Sequence, residues 1–239
     1  MTRRLGTGSS VLFALVVLAS IVSAVPAAQA VTLPPGSTVT LSGTTEAARP
    51  ELAGVVLQDV LRPFQVVDPS SGVTLLSGIV QDRVVRETGT GTLDFYYWVM
   101  NDPTSTASIV QVERLSYFVG GTVFTTDADW RIDSLPPSNY ATPSTASRTA
   151  GGTFVTFDFS TGSIAPGVTS KAFFLKTNAT DYNEGGYGYV YADFGQPSLG
   201  AVSFRSFQPS AVPEPGTLAL FAPGLAGLVG FGLRRRIRR

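Results

Sequence analysis

Between residues 31 and 211, no segment of this 239-residue chain sustains a 3.6-residue apolar stripe, and that lack restricts the fold more than any other feature. The nearest attempt, Glu46–Leu61, is interrupted by Pro50 and Gly54 and is rich in valine, all unfavourable to helix. Alternation with period two takes its place. Leu93, Phe95, Tyr97 and Val99 alternate with Asp94, Tyr96, Trp98 and Met100. Val155, Phe157 and Phe159 alternate with Thr156 and Asp158, and Tyr187, Tyr189 and Tyr191 with Gly188, Val190 and Ala192. Such runs are strands with two distinct faces. Further strands are expected at Gly54–Val60, Val73–Val80, Ser108–Val119, Thr122–Thr125, Ala172–Thr177 and Ala201–Phe207. Turn formers separate them, as in Asp68-Pro69-Ser70-Ser71-Gly72 and Asn101-Asp102-Pro103. Ser134–Gly152, with Pro136, Pro137, Pro143 and many hydroxyl residues, is expected to be a long surface loop. The pattern predicts an all-β ectodomain, an antiparallel β-sandwich of Ig-like or jelly-roll-like kind, and a barrel would satisfy it too.

The two ends differ from this middle. Arg3 and Arg4 precede an uncharged apolar run from Val11 to Val22, and Pro26 is followed by Ala28-Gln29-Ala30. That order reads as a secretory signal peptide over residues 1–30, a signal helix with Ala28 and Ala30 as the small residues for signal peptidase. Sec export is the route it implies. Near the other end, Thr217 to Leu233 carries no charge. As a helix it would be roughly 25 Å long, the lower limit for a transmembrane span. Arg234, Arg235, Arg236, Arg238 and Arg239 follow, a cationic cluster that resists translocation and should stay on the cytoplasmic side. The ectodomain, residues 31–211, is then expected outside.

Immediately before the apolar run stands Val212-Pro213-Glu214-Pro215-Gly216. Flanking prolines hold Glu214 extended and outside any helix, so a processing enzyme meets a backbone already in its bound shape. The succession of Pro213-Glu214-Pro215, a Gly-rich apolar helix over 217–233 and the Arg tail 234–239 strongly resembles the PEP-CTERM sorting signal of bacteria. Pro223, inside the apolar run, departs from the pattern without disturbing its order. The resemblance covers residues 212–239. It implies an exosortase as processing partner, transient anchoring in the inner membrane, and transfer to the periplasm, outer surface or extracellular matrix. Association with exopolysaccharide is implied on the same ground.

Chemistry is narrowed by what is missing. With no cysteine and no histidine there is no disulfide, thiol nucleophile, histidine base or common zinc site, and no cofactor is expected. Glu113 and Glu184 are the candidate carboxylates for a glycan-active hydrolase, the alternative function. Arg114 beside Glu113, and Gly185-Gly186 after Glu184, favour ordinary surface and turn positions. Ser170 and Lys171 adjoin, and as strand neighbours they point to opposite faces and form no dyad. No catalytic motif is present, and the ectodomain reads as non-enzymatic. Asp127 and Asp129, with Asp133 nearby, are candidate Ca²⁺ ligands if they lie in a loop, and Asp181-Tyr182-Asn183-Glu184 is a second acidic stretch. Neither fits a known calcium loop, and Asx-turns are the plainer use. Asn178-Ala179-Thr180 matches a glycosylation sequon, incidental in a bacterial chain.

Aromatic residues are the most suggestive feature of the middle. Phe95 and Tyr97 are expected in the core. Tyr96 and Trp98 share the second face of that strand, and Tyr187, Tyr189 and Tyr191 one face of another; either set fills the core or, if exposed, forms a platform for stacking sugars. The nearly bare opposite face, with Gly188 and Ala192, favours the core. A structural or carbohydrate-binding role follows as the expected function.

The charge balance agrees with export. Formal net charge is zero, with 17 basic and 17 acidic residues. Arg3, Arg4 and the five tail arginines account for seven of the basic ones, leaving ten against all 17 acidic residues between Val31 and Leu233, a net of −7. An acidic ectodomain excludes nucleic acid as an electrostatic partner.

Overall fold

Alternating apolar residues can satisfy two faces only if a strand lies between two layers, and β5, Leu93–Asn101, does so. In the computed structural model, Phe95, Tyr97 and Val99 point into the main core, while Tyr96 enters a smaller cluster on the reverse side. The structure describes residues 31–115, 124–136, 138–194 and 200–210. The expected signal peptide over 1–30 and the expected tail elements over 212–239 lie outside these residues, with Ala28, Ala30, the sorting residues and the terminal arginines among them.

The described residues form fourteen strands. They are β1 (Val31–Thr32), β2 (Thr38–Thr40), β3 (Gly54–Val67), β4 (Thr74–Glu87), β5, β6 (Ile109–Leu115) and β7 (Thr126–Trp130). After them come β8 (Tyr140–Ala141), β9 (Thr145–Arg148), β10 (Phe154–Asp158), β11 (Thr169–Ser170), β12 (Phe173–Thr177), β13 (Asp181–Ala192) and β14 (Ala201–Ser210). One sheet holds β1, β3, β4, β5, β7, β8, β11 and β12; the other has the order β14-β13-β6-β10-β9-β2. Pairings between these strands are antiparallel except that of β11 with β8. The ectodomain is therefore an all-β sandwich. Among the described residues no helix is long and apolar enough to cross a membrane.

Phe173 of β12 joins the two layers. Its ring lies 4.7 Å from Phe157 of the opposite sheet, 5.6 Å from Phe159 and 5.7 Å from Tyr97. Tilted and edge-on contacts of this kind favour one packing over its alternatives. At the corner where β14 approaches the long β3–β4 hairpin, Asp82 is fully buried. It accepts hydrogen bonds from Arg62 Nε and from the Phe207 backbone N–H, both at 2.9 Å. Arg62 also reaches Glu184 at 2.8 Å and lies 5.0 Å from the Phe207 ring centroid.

Residues 41–53 form a strap over the outer face of the eight-stranded sheet. Pro50–Leu52 is a 3-10 turn, and Leu52 packs with Val85, Tyr96 and Phe174. The strap is tied down where Gly43 N–H donates to Asp129 Oδ1 at 2.9 Å and Glu46 N–H to Asp133 Oδ2 at 2.8 Å. Gly43 has φ +78°, and a Cβ there would come within 2.5 Å of the Trp130 ring. Only glycine meets both demands.

Three sequence expectations need correction. The Ser134–Gly152 loop contains β8, which pairs with β11, and β9, whose alternating residues pair with β10 and β2. Asp127 and Asp129 lie within β7 rather than in a loop, opposite Lys176 and Phe174 of β12. The strand expected at Thr122–Thr125 does not include Phe124 or Thr125, which precede β7; Thr122 and Val123 are outside the described residues.

Candidate functional site

The tyrosines decide which surface stands out. Tyr187, Tyr189 and Tyr191 project from the outer face of the six-stranded sheet and are partly exposed, contrary to the expectation of a core position. The cause is the neighbouring strand. Phe204 of β14 lies directly opposite Gly188 and fills the space that the glycine leaves on the inner face, so that a Cβ at 188 would collide with its ring. Val190 and Ala192 complete that inner face, and the tyrosines are turned outward by default.

Register then assembles a polar surface around them. Across the sheet, Ser203 of β14, Tyr189, Glu113 of β6, Thr156 of β10 and Ser147 of β9 stand in one row. The adjacent row runs through Tyr191, Gln111, Asp158 and Thr145. Glu113 accepts from Thr156 Oγ1 at 3.3 Å and from the Tyr191 hydroxyl at 3.4 Å. Partial burial, then the nearby Glu113 carboxylate, push the Tyr191 phenol above its ordinary range, so the hydroxyl stays a donor. The rings of Tyr189 and Tyr191 lie 6.3 Å apart and tilted by 37°. At the end of the row, the Arg205 guanidinium sits 5.0 Å from the Tyr187 ring centroid. Aromatic faces along one strand, flanked by hydroxyls and planar polar groups, suit the apolar faces and hydroxyl edges of a polysaccharide.

The other sequence candidates are dispersed. Glu184 lies five residues before Tyr189, the partner of Glu113. At about 3.3 Å per residue it is roughly 15 Å away along β13. It is also engaged by Arg62. This is not the close carboxylate pair of a glycosidase, which needs about 5 to 9.5 Å. Asp129 is buried, and its Oδ1 accepts the N–H groups of Gly43 and Trp130, which makes it a strap anchor. No group of three or more acidic residues that could hold a metal occurs among the described residues. Asn183 Oδ1 accepts from Gly185 N–H at 2.8 Å, an Asx-turn at the bulge of β13. Ser170 Oγ accepts the Val99 N–H, while Lys171 Nζ donates to the Ser134 carbonyl at 2.5 Å, so the two serve separate contacts.

One cluster escaped sequence reasoning. Asp94 and Glu87, both buried, meet beneath the strap with Lys176 and Arg49. Lys176 donates to Glu87. Burial foremost, then the Glu87 charge, raise the Asp94 carboxyl to about pKa 8. Glu87 itself is held below the usual carboxylate range: burial opposes this, but its hydrogen bonds from Lys176, Thr90 and Thr92 outweigh it. Register of β4, β5 and β12 brings Glu87, Asp94 and Lys176 together, and the strap adds Arg49. Asp94 and Glu87 are closed to solvent, while Lys176 is partly exposed.

The family described as the PEP-CTERM protein-sorting motif matches residues 211–236. The chain carries a PEP-CTERM sorting signal. The match spans Pro213, Glu214 and Pro215, the apolar run and the first three tail arginines. The motif implies export and exosortase-dependent sorting toward the envelope. No curated protein and no solved structure matches the chain. The sorting motif yields its own prediction. In the producing cell, the parent should be shortened and Glu214→Ala should leave the chain full-length in the membrane fraction. Immunoblotting of fractionated cells checks this, and normal shortening of the variant would contradict it.

Proposed function

We propose that the PEP-CTERM ectodomain is a non-catalytic carbohydrate-binding or structural protein of the cell envelope or exopolysaccharide matrix. It reaches that place by Sec export, signal-peptidase cleavage in the region of Ala28 and Ala30, transient inner-membrane anchoring through residues 217–233, and exosortase processing near Pro213-Glu214-Pro215. The supporting observation is the outward row of Tyr187, Tyr189 and Tyr191 beside hydroxyl-bearing strands. An exposed aromatic row is an unfavourable use of surface unless something covers it.

Charge supports a neutral polymer over an anionic one. Arg205 is the cation beside Tyr187, while Glu113 and Asp158 carry negative charge in the middle of the face. Electrophoresis of the full chain, in mild detergent, through native gels containing the producing bacterium's own exopolysaccharide tests the proposal. The parent should be retarded. Replacing Tyr187, Tyr189 and Tyr191 together by threonine, which keeps strand propensity, should weaken retention at least about tenfold, since each stacked ring contributes about 0.5–1.5 kcal/mol. Equal retention of parent and variant would refute the assignment to this face.

A further inference from the structure

The reverse side of the sandwich holds a second recess that the tyrosine row does not use. Its floor is formed by Trp98 of β5 and by Gln81 and Arg83 of β4, with Ser134, Leu135, Pro136, Thr169 and Ala172 as walls. Register makes the floor: Trp98 stands directly opposite Gln81, and Arg83 is the next outward residue along β4. The cleft has a volume of about 560 Å³, enough for a small ligand or a short stretch of polymer.

Its chemistry is specific. Trp98 is partly exposed, and Leu135 beside it is 79% exposed. Asp59 is held by both floor residues, accepting from Gln81 Nε2 and Arg83 Nη2, each at 2.6 Å. That arrangement fixes the two planar groups at the floor of the recess. Arg83 Nε is buried without an acceptor, so the guanidinium is only partly satisfied by the protein. Charge is balanced: Arg83 is paired with Asp59, and Asp133 at the rim is paired with Arg131. A balanced recess gives little attraction to an anion. An indole face between rigid amide and guanidinium edges fits a ring with an apolar face and neighbouring hydroxyls.

We propose that the Trp98 cleft is a second saccharide-binding site, taking pyranose units of a neutral glycan. It lies on the outer face of the eight-stranded sheet, opposite the tyrosine face, so one ectodomain can hold two chains and bridge them. The choice of ligand class rests on the glycan reading of the tyrosine face; the cleft itself does not depend on it.

The chain has two tryptophans, Trp98 and Trp130, and fluorine NMR of the full chain grown with fluorotryptophan reports each one separately. Trp130→Phe assigns the signals. The probes are neutral gluco-, manno- and cello-hexasaccharides, with a hexameric oligouronate as the anionic comparison. The Trp98 signal should shift saturably with at least one neutral probe and not with the oligouronate. Gln81→Ala should weaken that response about tenfold, and the tyrosine triple variant should leave it in place. Should Gln81→Ala fail to fold, Leu135→Asp on the exposed rim takes its role, with the same expected loss.

No Trp98 shift with any neutral probe overturns the cleft site, even if gel retention persists through the tyrosines. An equal or stronger response to the oligouronate overturns the neutral class. A shift lost in the tyrosine variant but unchanged in Gln81→Ala also overturns the proposal, because the signal then originates at the other face. Loss of gel retention with an intact Trp98 response would refute the tyrosine assignment while supporting the cleft.

Discussion

Replacing Asp94 by asparagine should stabilise the protein, and the gain should be larger at pH 8 than at pH 5 by on the order of 3–4 kcal/mol. The folded chain keeps a proton on the Asp94 carboxyl up to about pH 8. The unfolded chain releases it near the ordinary aspartate value of about 4. Between those limits the folded state binds more protons, so stability falls as pH rises, by at most about 1.4 kcal/mol per pH unit. Asparagine cannot ionise, so it brings no charge into the buried cluster at any pH. The difference between variant and parent should therefore grow steadily from pH 5 to pH 8. Glu87, whose carboxyl is held low, titrates below this window and does not confuse it. Urea midpoints at pH 5, 6.5 and 8 measure the effect, and parallel profiles for the two proteins would show that Asp94 ionises normally.

The second large effect is expected at the corner. Arg62→Met should destabilise the fold by about 3–5 kcal/mol, because it leaves the buried Asp82 carboxylate without its cation. The other partner of Arg62 offers an internal contrast. Glu184 has a side chain 58% exposed, so Glu184→Ala should cost no more than about 1 kcal/mol. The double change Arg62→Met with Asp82→Asn should recover a large part of the loss, since it removes the stranded charge rather than the packing. Equal midpoints for Arg62→Met and Glu184→Ala would mean that Asp82 does not depend on Arg62.

Period-two alternation made the sandwich legible where one side of a strand is plainly apolar, as in β5, β10 and β12. It failed where tertiary structure reassigns faces. β4 extends to Glu87, well past the expected end at Val80, because its polar residues Gln81, Arg83 and Glu87 face outward into partnerships that no local pattern shows. β3 likewise runs on through Arg62 and Pro63, which a local rule reads as an end. The tyrosine row was visible as a row, but its direction was not. A bare Gly188 suggested an empty outer face; in the fold it is an inner face filled by Phe204 from β14, sixteen residues away. The buried Asp94–Glu87 pair, too, arises from register, and its residues carry no mutual signal in the sequence. The sorting motif was legible because the order of Pro213-Glu214-Pro215, apolar run and arginines is linear in the sequence.

The central claim is that Tyr187, Tyr189 and Tyr191 contact glycan. The most direct measurement is the NMR spectrum of the full chain with its eight tyrosine rings isotopically labelled, recorded during addition of the producing bacterium's exopolysaccharide fragments. The signals of these three tyrosines should shift together and saturably, while that of the core residue Tyr97 stays fixed. A titration that leaves all three unmoved, or that moves other tyrosines instead, would contradict the account.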